Sequence, residues 1–304
     1  MKAAIRKSSN LQRIIIYGFM LVLLVAVALW LSRPDQSEIP TAHPKKQAIA
    51  QLQATHNKLT KSLTEADKND TKALLNDIYD LDVKLLSLAP KNLKLKQQLV
   101  TTLNKIGDHH LSEDEHSHAL KRYQHALKLS EAMISTDPSN LLFQVQQTDI
   151  HSRIGDVHYQ QENNTESLHH HQLALEKRQE LLAKNPNHSK YQHSVATSYN
   201  KIGLLQCVLP ASSRSQALQT FHKAESIITK LLKTSPENST LKRDLALTYY
   251  HKSETYLLHD ISSAISDLKK ALKLLSELQQ RDDLHPKDLH YIPEIREKIN
   301  AFSQ

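Results

Sequence analysis

Histidine is the side chain that most invites a chemical reading of this sequence. There are 19 in 304 residues, and ten of them fall between His109 and His171. "HH" at 109–110, "EHSH" at 115–118 and "HHH" at 169–171 place imidazoles within a turn of one another. Imidazoles at i and i+4, or on adjoining helices, can share Zn, Cu or Ni. His109, His110, His169, His170 and His171 are therefore the metal candidates, and the same residues suit a pH-responsive contact. The only cysteine, Cys207, cannot form a disulfide within the chain or a thiolate cluster. His193 and His222 are the bases that folding could bring to it, but an inert thiol in a turn is the simpler expectation. No HExxH, GxSxG, GxGxxG, Walker or CxxC pattern is present. We therefore assign no catalytic residue and no cofactor, and expect a protein without enzymatic activity.

A second set of polar residues is ordered by glycine. The stretches "LNKIGDHH" (103–110), "HSRIGDVH" (151–158) and "YNKIGLLQ" (199–206) put Gly107, Gly155 and Gly203 at 48-residue intervals, in a chain with only four glycines. Two residues before each glycine, or before Ser253 in the fourth copy, stand Lys105, Arg153, Lys201 and His251. One residue after come Asp108, Asp156, Leu204 and Glu254, and three before come Asn104, Ser152, Asn200 and Tyr250. Such a column could grip a peptide backbone or its carboxylates through charge-assisted hydrogen bonds. Lys105, Asp108, Arg153, Asp156, Asn200, Lys201, Tyr250, His251 and Glu254 are accordingly the groove candidates. The plainer alternative pairs Lys105 with Asp108 and Arg153 with Asp156 at i, i+3 on a solvated helix face.

The elements that carry these residues are read from a second grid. Pro90, Pro138, Pro186, Pro236 and Pro286 are spaced by 48, 48, 50 and 50 residues. A residue able to cap a helix precedes Pro138, Pro186 and Pro236, and proline fits the first helical turn, so each proline is expected to separate one helix from the next. Between prolines the apolar series repeat with helical period. Ala119, Tyr123 and Ala126 correspond to Ser167, His171 and Ala174, then to Ala217, Phe221 and Ala224. His151 and His171 thus stand where sister copies have Tyr or Phe, which favours a core role for both. Two helices per copy, each buried along one stripe, need stacked neighbours to close a core.

A small residue at Gly107, then Ala119, Tyr123 and Ala126, resembles the tetratricopeptide repeat family. Gly155 with Ala174, and Gly203 with Ala217, Phe221 and Ala224, continue the pattern. The family's usual period is 34 residues, so the 48–50 seen here would add about two turns to each helix. The resemblance implies an all-α fold, a right-handed α-solenoid of antiparallel hairpins. These are expected near 48–88, 93–135, 141–184, 189–233 and 239–281, with a last helix over 287–302. It also implies a partner-binding surface lined by the first helix of each hairpin.

Residues 14–31, "IIIYGFMLVLLVAVALWL", form an unbroken apolar run that follows four bases. The run is near the length needed to cross a bilayer, and the charge bias puts the N-terminus inside. We expect a basic cytoplasmic start (1–13), a retained signal anchor (14–31), a proline-containing stalk (32–47) and a repeat domain (48–304). In a bacterium that domain would lie in the periplasm, the alternative being an organelle membrane with the repeats in the cytosol. The chain's +7 charge is concentrated at its start. Residues 1–33 hold five bases and no acid, so the rest carries 39 − 5 = 34 bases against 32 acids, which removes the footing for nucleic-acid binding. The expected function is that of a membrane-anchored scaffold for a protein or peptide partner, possible also as a homo-oligomer. A metal- or pH-responsive sensor built on the histidines is the alternative.

Overall fold

The computed structural model describes residues 42–209, 214–257 and 260–303. The expected anchor at 14–31 and most of the stalk lie outside them. Among the described residues no helix is long and apolar enough to cross a membrane. The chain divides into two compact units, Met1–Leu52 and Gln53–Gln304. Of the first, only 42–52 are described, and they are helical.

The helices run α1 (Ala42–Glu65), α2 (Lys68–Leu88), α3 (Leu93–Ser112), α4 (His116–Thr136), α5 (Leu141–Gln160) and α6 (Asn164–Lys184). They continue as α7 (Ser189–Val208), α8 (Arg214–Thr234), α9 (Ser239–Tyr256), α10 (Ile261–Gln280) and α11 (Tyr291–Phe302). No strand occurs among the described residues. From α2 onward each helix packs on the next, so the repeat unit is a helical-hairpin solenoid. Two expectations need correction. Residues 42–47 belong to α1 and not to a stalk, and the last helix starts at Tyr291 because Pro286–Asp288 forms a separate 3-10 turn.

The proline grid also works differently from its reading in the sequence. Asp137 and Asn185, which precede Pro138 and Pro186, are C-caps of the helix before. The N-cap is the residue two after the proline. Asn92 Oδ1 accepts from the Lys94 and Leu95 amides, Asn140 from Leu142, and Asn238 from Leu241. Each cap satisfies amides that the first helical turn leaves open. Within hairpins, α3 and α5, and before the terminal helix, α10, end on left-handed residues, Asp114, Glu162 and Asp282. Their successors' amides reach back to His110, His158 and Leu278 carbonyls, closing Schellman turns.

No described glycine has a positive φ, so the glycines serve another purpose. A Cβ on Gly107 would lie 2.3 Å from Tyr123 Cε1, on Gly155 2.8 Å from His171 Nε2, and on Gly203 2.8 Å from Phe221 Cε1. The ring of each second helix lies against the bare backbone of the first, and all three rings are buried. Around the first such contact a core of Leu99, Leu103, Tyr123, Met133, Phe143, Ile150 and Ile154 spans α3, α4 and α5. One hairpin thereby covers the next, as stacked repeats require.

The last hairpins carry a polar exchange inside the core. Lys252 occupies the place of Ile106, Ile154 and Ile202, and Glu225 that of Leu127 and Leu175. The Lys252 ammonium, buried at 3% exposure, sits 2.5 Å from Glu225 and 3.1 Å from Asp267. Burial works against its charge, but the two carboxylates outweigh burial and raise its pKa. Where the other hairpins have apolar residues at these two positions, the last ones have an ion cluster in which two carboxylates compensate the buried ammonium.

The ring contact has a testable sign. Alanine is favoured over glycine in a helix by about 1 kcal/mol, while overpacking a close contact costs about 1–3 kcal/mol. Gly107→Ala is therefore expected to lower stability in urea unfolding. In a Tyr123→Ala background, where the ring is gone, the same change is expected to raise it.

Candidate partner-binding face

The first helices of successive hairpins, α1, α3, α5, α7 and α9, and the terminal helix α11 share one face. Hydrogen bonds spanning about one repeat tie them: Gln53 to Gln98, Gln146 to Thr101, Lys201 to Asp156, Thr248 to Asn200 and Lys298 to Glu254. The groove candidates lie here, and the ion pairs that they form reach into neighbouring repeats or the terminal helix. Arg153 donates to both oxygens of Asp108, Nε at 2.8 Å and Nη2 at 3.1 Å, and Tyr123 OH donates to Asp108 Oδ1 at 2.7 Å. Burial opposes the Arg153 charge, yet the Asp108 hydrogen bonds and charge prevail and raise its pKa. One repeat further, Lys201 Nζ donates to Asp156 Oδ1 at 2.6 Å. The i, i+3 pairs within one helix are not formed.

The C-terminal end of the face is closed in the same manner. Tyr250 OH donates to Glu294 at 2.5 Å, Lys298 donates to Glu254 at 2.6 Å, and Tyr291 stacks edge-on against Tyr250 with centroids 4.8 Å apart. Burial and the Glu294 contact push the Tyr250 phenol up to about 12. Asn200 accepts from Thr248 Oγ1 at 3.0 Å. His251 is pushed down to about 4, chiefly by burial and then by the Lys201 and Lys298 charges, so it is neutral at pH 7.

The N-terminal end is different. Thr60 Oγ1 on α1, Asn104 Oδ1 on α3, and Gln146 Oε1 and Ser152 Oγ on α5 are buried with no hydrogen-bond partner in the protein. Lys105, exposed on α3, makes no ion pair among the described residues. Asn104 and Ser152 are recognisable in the sequence as members of the column three residues before the glycine. Thr60 and Gln146 carry no signal that spacing alone would raise.

The histidines divide by environment. His171 fills the aromatic position, 1% exposed, with Nε2 3.6 Å from Asp156, too far for a hydrogen bond. His151 Nδ1 lies 3.2 Å from His170 Nδ1, and His158 and His169 also pack on the His170 ring. His110 closes the α3–α4 turn on Glu115 at 2.5 Å, where its hydrogen bond lowers the Glu115 pKa, and His109 packs beside it. No group of three His, Cys, Asp or Glu side chains among the described residues could hold a metal ion. Cys207 lies inside α7, not in a turn, and burial pushes its thiol up to about 11. His193 is held by Asp244 at 2.7 Å, and His222 contacts Glu225 and Tyr256.

No protein-family model and no curated protein sequence matches the chain. Solved structures do. BtubC from P. vanneervenii matches with a TM-score of 0.51 and 18% identity, over 78% of this chain and 86% of that one. Apo RapI matches with a TM-score of 0.52 and 13% identity, over 85% of this chain and 67% of that one. YrrB, described as a TPR protein with an unusual peptide-binding site, matches at 0.34 and 16% identity, over 79% and 97%. At such identities the first two establish likeness of fold alone, in keeping with the stacked hairpins described above.

Burial is the main cause that pushes His151 and His171 down to about 4, the His170 charge adding to it at His151 and Asp156 opposing it at His171. Between the ordinary value of 6.5 and 4, the unfolded chain binds protons that the folded chain excludes. Stability is therefore complete above about pH 6.5 and falls as pH drops toward 4. The slope is at most about 1.4 kcal/mol per pH unit per histidine. His171→Phe, which installs the residue used in the next repeat, is expected to remove one histidine's share while retaining stability at pH 7.5. Urea midpoints from pH 7.5 to 4.5 measure it, and an undiminished slope would contradict the assignment.

Proposed function

We propose that the repeat unit is a rigid scaffold that binds a protein or peptide segment on the face formed by α1, α3 and α5, without chemistry of its own. The observation that carries this reading is that, among the described residues, the buried side-chain polar atoms without partners on the first helices, Thr60 Oγ1, Asn104 Oδ1, Gln146 Oε1, Ser152 Oγ and His158 Nδ1, all lie on α1, α3 and α5. An unsatisfied buried group costs about 1–3 kcal/mol, so a segment that supplies the missing hydrogen bonds gains on binding what the free protein forgoes. The ion pairs between repeats hold the receiving surface in place, which leaves the ordering cost largely to the partner. A membrane tether through residues 14–31, with the repeats in the periplasm, completes the proposal. It rests on the apolar run and on the four bases before it.

Two measurements test these readings. A photo-crosslinking amino acid at 104 or 152 is expected to give discrete adducts in cells, whereas one at the exposed Val83 on α2 gives none. Equal yields at all three places would refute the face. An alkaline phosphatase reporter fused after Gln304 is expected to be active, as it folds only in an oxidising exported compartment. Silence would refute the orientation.

A further inference from the structure

Building on the scaffold reading, the structure assigns a binding site for a single carboxylate of a bound polypeptide at the N-terminal end of the face. The site lies between Lys105 and Thr60. The ion pairs between repeats set the rule. Asp108 is joined to Arg153, and Asp156 to Lys201, and in both cases the acid stands 45 residues before the base, on the first helix of the preceding hairpin. Counting back 45 from Lys105 gives Thr60 on α1. The base of this first rung is present and its acid is absent.

The other place where the acid is absent shows what a silent rung looks like. Leu204 stands in the acid's column, and the base of the following hairpin is His251, which burial keeps neutral at pH 7. There the acid and the charge of the base are lost together. Lys105, in contrast, is an exposed lysine with no ion-pair partner among the described residues.

The space beside Lys105 fits the missing group. A cavity of about 140 Å³ is lined by His56 and Thr60 of α1, Leu75 and Ile78 of α2, and Gln98, Thr101, Thr102 and Lys105 of α3. That is well below the roughly 300–1,000 Å³ of a site for a cofactor or drug-sized molecule, and suits one side chain or a chain end. Three of the lining residues also meet the buried Asp82, which accepts from Gln98 at 2.5 Å and Thr102 at 2.5 Å and lies 3.2 Å from His56 Nε2. The Asp82 carboxylate is therefore already engaged by hydrogen bonds within the protein. The lining also offers the Lys105 ammonium and the Thr60 hydroxyl, whose Oγ1 is buried without a partner among the described residues. An ammonium beside a free hydroxyl donor is a match for an oxyanion, and a carboxylate there would accept from both.

The experiment uses the full chain in detergent and an array of N-acetylated hexapeptides of varied sequence. Each peptide is present in three forms: with free C-terminus, with C-terminal amide, and with Asp and Glu replaced by Asn and Gln. Lys105→Ala removes the cation, and Thr60→Asp supplies the missing acid from within. Lys121→Ala, at an exposed place on α4, is the control, and circular dichroism confirms folding of each variant. The wild-type chain is expected to retain peptides in a carboxylate-dependent way, with both Lys105→Ala and Thr60→Asp lowering the signal at least tenfold and Lys121→Ala leaving it unchanged. Loss on amidation identifies a chain end as the source, and loss on Asp/Glu replacement identifies a side chain. Binding that ignores carboxylates, or that survives Lys105→Ala, overturns the site while leaving the scaffold intact. Absence of any bound peptide overturns both.

Discussion

In each of three hairpins a buried ring, Tyr123, His171 or Phe221, rests where a Cβ on the opposite helix would stand. The consequences of that contact extend through the whole repeat unit. Omitting one Cβ lets the two helices approach over a planar side chain. The spacing is then set by the thickness of a ring, and is repeated from hairpin to hairpin. Residues about one repeat apart meet across the first helices. The Tyr123 hydroxyl then extends the contact into electrostatics by donating to Asp108, the residue beside its glycine.

The charge pairs form where residues about one repeat apart meet. Within α3, Lys105 precedes Asp108, an order that the helix dipole does not favour, and a solvated i, i+3 pair is worth only a few tenths of a kcal/mol. Across the repeat boundary, the Asp108 carboxylate receives a two-pronged guanidinium and a phenol at once. Several short, oriented hydrogen bonds to one ion are the stronger arrangement, and they link hairpins that also meet through apolar contacts and through the Gln146–Thr101 hydrogen bond. These bridges brace the middle of the face, and Tyr250, Glu254, Glu294 and Lys298 close its C-terminal end. Among the described residues, the polar groups of the first helices left without partners gather on α1, α3 and α5.

Three of the histidines, His110, His151 and His171, have structural contacts. His171 substitutes for an aromatic ring, and burial holds it and His151 neutral. His110 ties a turn through Glu115. The sequence supplies them at a density that suggests metal chemistry, but a ligand set needs convergent nitrogen atoms. Here the imidazoles are distributed between the core, a stacked group around His170 and the hairpin turns.

Much of this architecture is legible in the sequence, because it rests on local periodicities. Gly107, Gly155 and Gly203, the alanine and aromatic positions after them, and the proline grid each repeat with the helices, and together they imply stacked hairpins. The proline grid was legible in position but not in mechanism, since Asp137 and Asn140 are both able to cap, and only backbone geometry shows that one ends a helix and the other begins the next. The polar column was legible as a column, whereas its pairing was not. Arg153 and Asp156 are neighbours along one helix, and whether Arg153 turns to Asp156 or to Asp108 depends on how far the next helix stands away. That distance is fixed by packing and has no trace in local spacing. For the same reason Thr60 was silent in the sequence. A threonine on a polar stretch of α1 signals nothing until the fold sets it opposite an unpaired lysine, because the absence of a partner is a property of the whole face and not of any segment.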